Sequence, residues 1–134
     1  MSADKKIVAV CTSRIFDAQQ HSFLKQLGEE LSKHDTVMLI FCTNIDLYWN
    51  EDKYQPEAVV FDTVPFETVD LLVIMDEKIK SRNVSNSLIS RAERHGVPVI
   101  VVDGHYDGTV EIRFDYARGF ESVVRHIIEH HIIR

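Results

Sequence analysis

Little in this chain supports disulfide staples, membrane spans or a strong positive field. Two cysteines, Cys11 and Cys42, cannot build the disulfide framework of a small secreted domain. No apolar run approaches the roughly 18 residues of a membrane span. The opening "MSADKK" leads only into the short "IVAVC", not into an apolar stretch of signal-peptide length. These shortfalls predict a cytoplasmic protein with no membrane partner. Positive charge is scarce too: 15 Lys plus Arg stand against 21 Asp plus Glu, a formal net charge of −6. Phosphate backbones need clustered positive charge, so no nucleic-acid partner is expected of this segment. Glycine is thin, five in all, and "CTSRIFDAQQ" after the first apolar run has none. A dinucleotide fingerprint and a phosphate-binding P-loop both need glycines there. We therefore expect no cofactor.

What is present is a set of short apolar runs. "IVAVC" (7–11), "VMLIF" (37–41), "LLVIM" (71–75) and "VPVIVV" (97–102) are nearly continuous. A strand apolar on both sides must be covered on both faces, which is the situation in a parallel sheet. A fifth run, "VEIRF" (110–114), alternates. It predicts an edge strand with Val110, Ile112 and Phe114 facing in and Glu111 and Arg113 facing out.

Helical patterns lie between these runs. Leu24, Leu27 and Leu31 share one face, with Phe23 beside them. Val84, Leu88 and Ala92 form a second stripe, Ile89 adjacent, ending at Gly96 as a cap. Phe120, Val123, Val124, Ile127 and Ile128 form a third, with Asp115 as N-cap. A weaker helix starts near Pro56, a residue suited to a first helical position, and carries Val59 and Val60. The 134 residues thus read as a single α/β domain, a doubly wound, mostly parallel five-stranded sheet with helices on both faces. Right-handed crossovers favour the strand order 2-1-3-4-5.

Ligands of such sheets sit beyond the carboxyl ends of the strands. Ser13, Arg14, Phe16 and Asp17 follow strand one. Asp76, Glu77 and Lys78 follow strand three, and Asp103, His105, Tyr106 and Asp107 follow strand four. Each alone could be a turn former, a cap or a solvated charge; their clustering makes the edge the candidate. Tyr48, Trp49 and Tyr54, aromatics in a polar loop, suggest an interface or packing onto a neighbouring helix.

Other chemistry fits less well. A phospho-receiver would need an acidic pair after strand one, which is absent. A Cys-x5-Arg phosphatase would need arginine where Asp17 stands. A phosphocarrier or small α/β enzyme using Cys11 would need a positive, partly exposed thiol, to which Arg14 could contribute. The bland alternative makes Cys11 and Cys42 small buried hydrophobes on neighbouring strands. His126, Glu129 and His130 match H-x-x-E-H, and i, i+4 imidazoles share a helix face. No third ligand follows them, so no metal site is expected.

Four pieces, in order, carry a resemblance: "LKQLGEELSKHDTVMLIF", "VDLLVIM", "ERHGVPVIVVD" and "IRFDYARGFESVVRHIIEHH". Together they resemble the N-terminal lobe of lactose-repressor-type sensor domains, which have the type I periplasmic-binding fold. The last resembles that family's strand, aspartate and helix with glycine four residues on, here Asp115 and Gly119. "AVVFDTVPFETVDLLVIM" is most similar to the sensors fused to GGDEF diguanylate cyclases.

The resemblance implies a small-molecule-sensing lobe of a cytoplasmic signalling protein, not itself an enzyme, with ligand contacts at Ser13, Arg14, Asp76 and Asp103. It also implies a homodimer. The chain departs from the family at "QQHS", where Asn-Pro-Phe-Phe is frequent, and at Leu71, where glycine is common. The family's DNA-binding headpiece and second lobe have no counterpart here. The expectation is one lobe, 1–134, of a two-lobe domain, with its output C-terminal if Met1 is the true start. The competing expectation is a dimerisation scaffold without ligand.

Overall fold

The computed structural model describes residues 5–45, 47–49, 55–113 and 121–132. Five strands form one sheet: β1 (Lys6–Ser13), β2 (Thr36–Thr43), β3 (Leu71–Met75), β4 (Val99–Val102) and β5 (Val110–Ile112). Their order is β2-β1-β3-β4-β5, as expected. Every neighbouring pair is parallel, so the sheet is wholly parallel rather than mostly so.

The alternation of side chains across the strands explains the two layers. Val8, Val10, Leu71, Val73, Met75, Ile100 and Val102 project to one face. There they meet Phe23, Leu24, Leu27 and Leu31 of α1 (Ala18–Ser32). Val123, Val124 and Ile127 of the last helix complete that layer. Ala9, Cys11, Leu72, Ile74, Val99 and Val101 project to the other face. They meet Phe61 of a 3-10 helix (Pro56–Thr63), Ile79 of α2 (Asp76–Ile79), and Leu88 and Ala92 of α3 (Arg82–Arg94). Each fully buried leucine or isoleucine contributes about 1.5–3 kcal/mol. The two layers therefore hold the fold, and the loops ride on it.

The weak helix at Pro56 exists but is a 3-10 helix, with Phe61 as its buried anchor and Val59 exposed. The last helix, α4 (Glu121–Ile127), passes into a π turn (Ile128–Ile132). Phe114, Asp115, Gly119 and Phe120 lie outside the described residues. Val110 shares the face of Ile100 and Ile112, as expected, but is 40% exposed. It begins an edge strand paired on one side only, so solvent reaches it, while Ile112 packs on the α1 and α4 layer.

Among the described residues, no helix is long and apolar enough to cross a membrane.

Candidate functional site

The carboxyl edge of the sheet begins where β1 ends. The strand runs two residues past the apolar run, so Thr12 and Ser13 are fully buried. The Ser13 hydroxyl donates to the Lys78 carbonyl, tying the first loop to α2. Gln20, on the first turn of α1, is buried with them. Its amide donates to the Ser13 carbonyl at 2.5 Å and the Arg14 carbonyl at 3.1 Å, while its oxygen accepts from the Thr12 hydroxyl. One side chain thus satisfies the loop's inward carbonyls. Arg14, the next residue, is exposed and its amide donates to the Thr43 carbonyl. Asp17 caps α1 through the Gln19 amide.

The loops after β3 and β4 are joined by Asp76. This residue is 3% exposed. Its Oδ1 accepts from the Ser85 hydroxyl at 2.7 Å and from the Tyr106 hydroxyl at 2.8 Å. Gly104 lies against the same carboxyl group: a Cβ there would come within 2.7 Å of Oδ2. Only glycine lets the loop cross so close to Asp76 without displacing it. The Tyr106 hydroxyl is pushed up to about 12 by burial and by its bond to Asp76. Its amide donates to Glu111, which also pairs with His105 Nδ1 at 2.6 Å. The His105 and Tyr106 hydrogen bonds hold the Glu111 carboxyl below its ordinary value, against the opposing effect of desolvation. Asp103 is half-buried, and its amide donates to the Ile112 carbonyl at 2.7 Å.

The backbone of this edge is strained. Among the described residues, non-glycine left-handed conformations occur at Arg14, Asp35, Tyr48, Trp49, Lys80 and Asp103. Four of these six lie on the loops after β1, β2 and β4; Lys80 caps α2, which follows β3, and Asp35 lies before β2. Each costs on the order of 1–2 kcal/mol relative to a right-handed conformation. Such residues persist where the surroundings over-determine them, and they concentrate at ligand sites and switches.

The structure thus sorts the four predicted contacts. Loops one, three and four do converge, because β1, β3 and β4 are adjacent. Ser13 and Asp76, however, turn their polar atoms inward and brace the loops. Arg14 and Asp103 reach solvent. Gln20 and Ser85 escaped the sequence reading, although a signal existed. Gln20 falls on the stripe of Phe23, Leu24, Leu27 and Leu31, and Ser85 on that of Leu88 and Ala92; both are buried there. A polar residue on an apolar stripe is a buried hydrogen-bonding group in waiting.

The alternative chemistries find little. Cys11 is fully buried, and desolvation pushes its thiol well above the ordinary range, the Arg91 charge opposing only weakly. That is the opposite of the exposed, electropositive setting of a reactive thiolate. Cys42, half-buried, is also shifted up by burial. The rings of His126 and His130 stack at 4.5 Å, and burial and His130 push the His126 imidazole down. No group of three His, Cys, Asp or Glu among the described residues could hold a metal ion.

Fold and edge together define a doubly wound α/β domain whose open end carries the polar and strained residues. Comparison with protein-family models, curated proteins and solved structures gives no match.

Proposed function

We propose that this chain is a ligand-sensing lobe of a cytoplasmic regulatory protein. Its small polar ligand meets Arg14 and Asp103, while Ser13, Gln20 and Asp76 hold the loops in place. One observation carries the reading: left-handed, non-glycine backbone gathers on the loops after β1, β2 and β4 at the carboxyl edge. Strain placed there and braced from within is the arrangement of a preformed binding edge. A guanidinium after β1 and a carboxyl group after β4, on the two sides of the loop after β3, suit a ligand with both donors and acceptors. The resemblance to lactose-repressor-type sensors supports the same end of the sheet and a second lobe opposite it. A diguanylate cyclase output rests on that resemblance alone. The test is calorimetric titration of the whole native polypeptide with its ligand, once a metabolite screen finds one. Arg14→Ala and Asp103→Ala should each weaken binding about tenfold or more, the loss of one charge-assisted hydrogen bond. Unchanged affinity in both overturns the assignment.

Self-association is a second reading, favoured by exposed apolar side chains on the β2 side. Ile40 lies on that edge strand, Val59 on the 3-10 helix, and Ile45, Tyr48 and Trp49 on the following loop. Tyr54 lies outside the described residues. Sedimentation should show dimers, and an Ile40→Lys, Val59→Lys double variant should be monomeric. A wild type that stays monomeric at high concentration removes this reading.

A further inference from the structure

A groove of about 330 Å³ lies between the start of α3 and the loop from β4 to β5. It shares no residue with the four predicted contacts. One wall is a single stripe of α3: Arg82, Asn86 and Ile89, at i, i+4 and i+7. The other is His105, Tyr106 and Asp107. The volume is at the small end of ligand pockets, enough for a molecule of about a dozen heavy atoms or fewer.

The groove is built from the inside. Tyr106 is 6% exposed and held at both ends, its hydroxyl on Asp76 and its amide on Glu111. His105 is held by the same Glu111 carboxyl group. The Arg82 guanidinium lies over the Tyr106 ring, 4.8 Å from its centroid. Stacking on a fixed ring pre-organises a guanidinium, and its five donors can fork a carboxylate while serving another acceptor. Asn86 adds an amide, and Asp107 an exposed carboxyl group. The half-buried Ile89 offers apolar surface.

We propose that this groove binds a small carboxylate carrying a hydrogen-bond donor beside its carboxyl group. Arg82 and Asn86 take the carboxylate, and Asp107 accepts from the donor. Ile89 covers the carbon skeleton. A plain anion would meet repulsion from Asp107, and a plain apolar molecule would displace water from the Arg82 and Asp107 charges without replacing its hydrogen bonds.

The probe is 3-phenyllactate, titrated into the isotopically labelled chain and followed by amide resonances. Saturable shifts at residues 82–89 and 105–108, in the millimolar range of a small ligand on an open groove, are expected. Phenylpropionate, lacking the hydroxyl, should bind several-fold more weakly, and inorganic phosphate more weakly still. Arg82→Gln should cut phenyllactate affinity about tenfold, and Asn86→Ala, on the same exposed stripe, provides the same reading should Arg82→Gln disturb the fold. Asp107→Asn should narrow the gap between phenyllactate and phenylpropionate. Phosphate binding as well as phenyllactate overturns the proposal, as do shifts confined to residues 13–17 or the absence of saturable shifts. So does affinity unchanged by the groove variants. None of these results bears on Arg14 and Asp103, which lie outside the groove.

Discussion

Helix α3 carries an arginine stacked on an aromatic ring at each end, and the two ends do different work. At the start, Arg82 covers Tyr106 at 4.8 Å; at the finish, Arg91 covers Phe66 at 4.9 Å. Arg91 is committed to the fold. Its guanidinium donates to the Phe61 carbonyl at 2.9 Å and the Asp62 carbonyl at 3.0 Å, and reaches the Val64 carbonyl at 3.5 Å. It straps the end of the 3-10 helix, whose terminal carbonyls have no partner within that helix. Phe66 is further packed against the His95 ring at 5.9 Å. The other end closes around Asp76. Ser85 and Tyr106 close on Asp76, and Ser81 caps the helix through the Val84 amide. Arg82 therefore lines a groove while Arg91 fills a structural joint. The same cation-on-ring pair is a clamp where carbonyls crowd it, and beside the Asp76 network it is the element we propose for carboxylate recognition.

The comparison can be broken at its start most severely. Asp76→Ala leaves the Tyr106 and Ser85 hydroxyls buried without their acceptor. Unsatisfied buried groups cost about 1–3 kcal/mol each, so a loss of about 2–4 kcal/mol is expected in urea unfolding. Loosening should also appear as faster amide exchange in residues 103–109. A loss below about 1 kcal/mol would mean that the Asp76 network does not close this end of the helix.

Arg91→Ala tests the finish. It removes the ring contact and leaves carbonyls that water can partly reach, so about 1.5–3 kcal/mol should be lost. The loss should localise to residues 56–66 by hydrogen exchange. Arg91→Lys should recover little of it, because one ammonium cannot span the carbonyls that a planar fork reaches. Full recovery by lysine would reduce the strap to simple charge.

The smallest effect is a pH dependence. An ordinary tyrosine ionises near 10, and Tyr106 near 12. Its folded value is raised, so the folded chain holds the proton more tightly than the unfolded chain. The stabilisation is complete below about pH 10 and is lost as pH rises from there towards 12. In a spectrophotometric titration Tyr106 should appear as a late phase near pH 12. Tyr106→Phe should abolish the late phase and flatten stability over that window. A late phase that survives in Tyr106→Phe would assign the shift to another tyrosine.

The architecture was legible because the strands are short, apolar and continuous. "IVAVC", "VMLIF", "LLVIM" and "VPVIVV" can satisfy their burial only inside a sheet covered on both faces, and connections of this length favour one parallel order. The stripes of α1 and α3 were equally plain. Legibility fell where coverage depends on what happens to lie alongside. Val110 has the alternating pattern of an inward residue, but the sheet stops beside it. Pro56–Thr63 has a helical start, but Phe61 anchors it as a tighter 3-10 turn.

At the site, local sequence determined which loops carry polar residues and, through topology, that loops one, three and four meet. It could not sort Arg14 and Asp103 from Ser13 and Asp76. That sorting depends on donors and acceptors from elsewhere in the chain: the Lys78 carbonyl for Ser13, and the Ser85 and Tyr106 hydroxyls for Asp76. Tyr106 arrives from 30 residues away. An apolar pattern is read locally because burying carbon needs only more carbon, of whatever kind, on the facing surface. A polar atom is sealed or left open by one partner at one distance and angle, and only the folded chain decides whether that partner arrives.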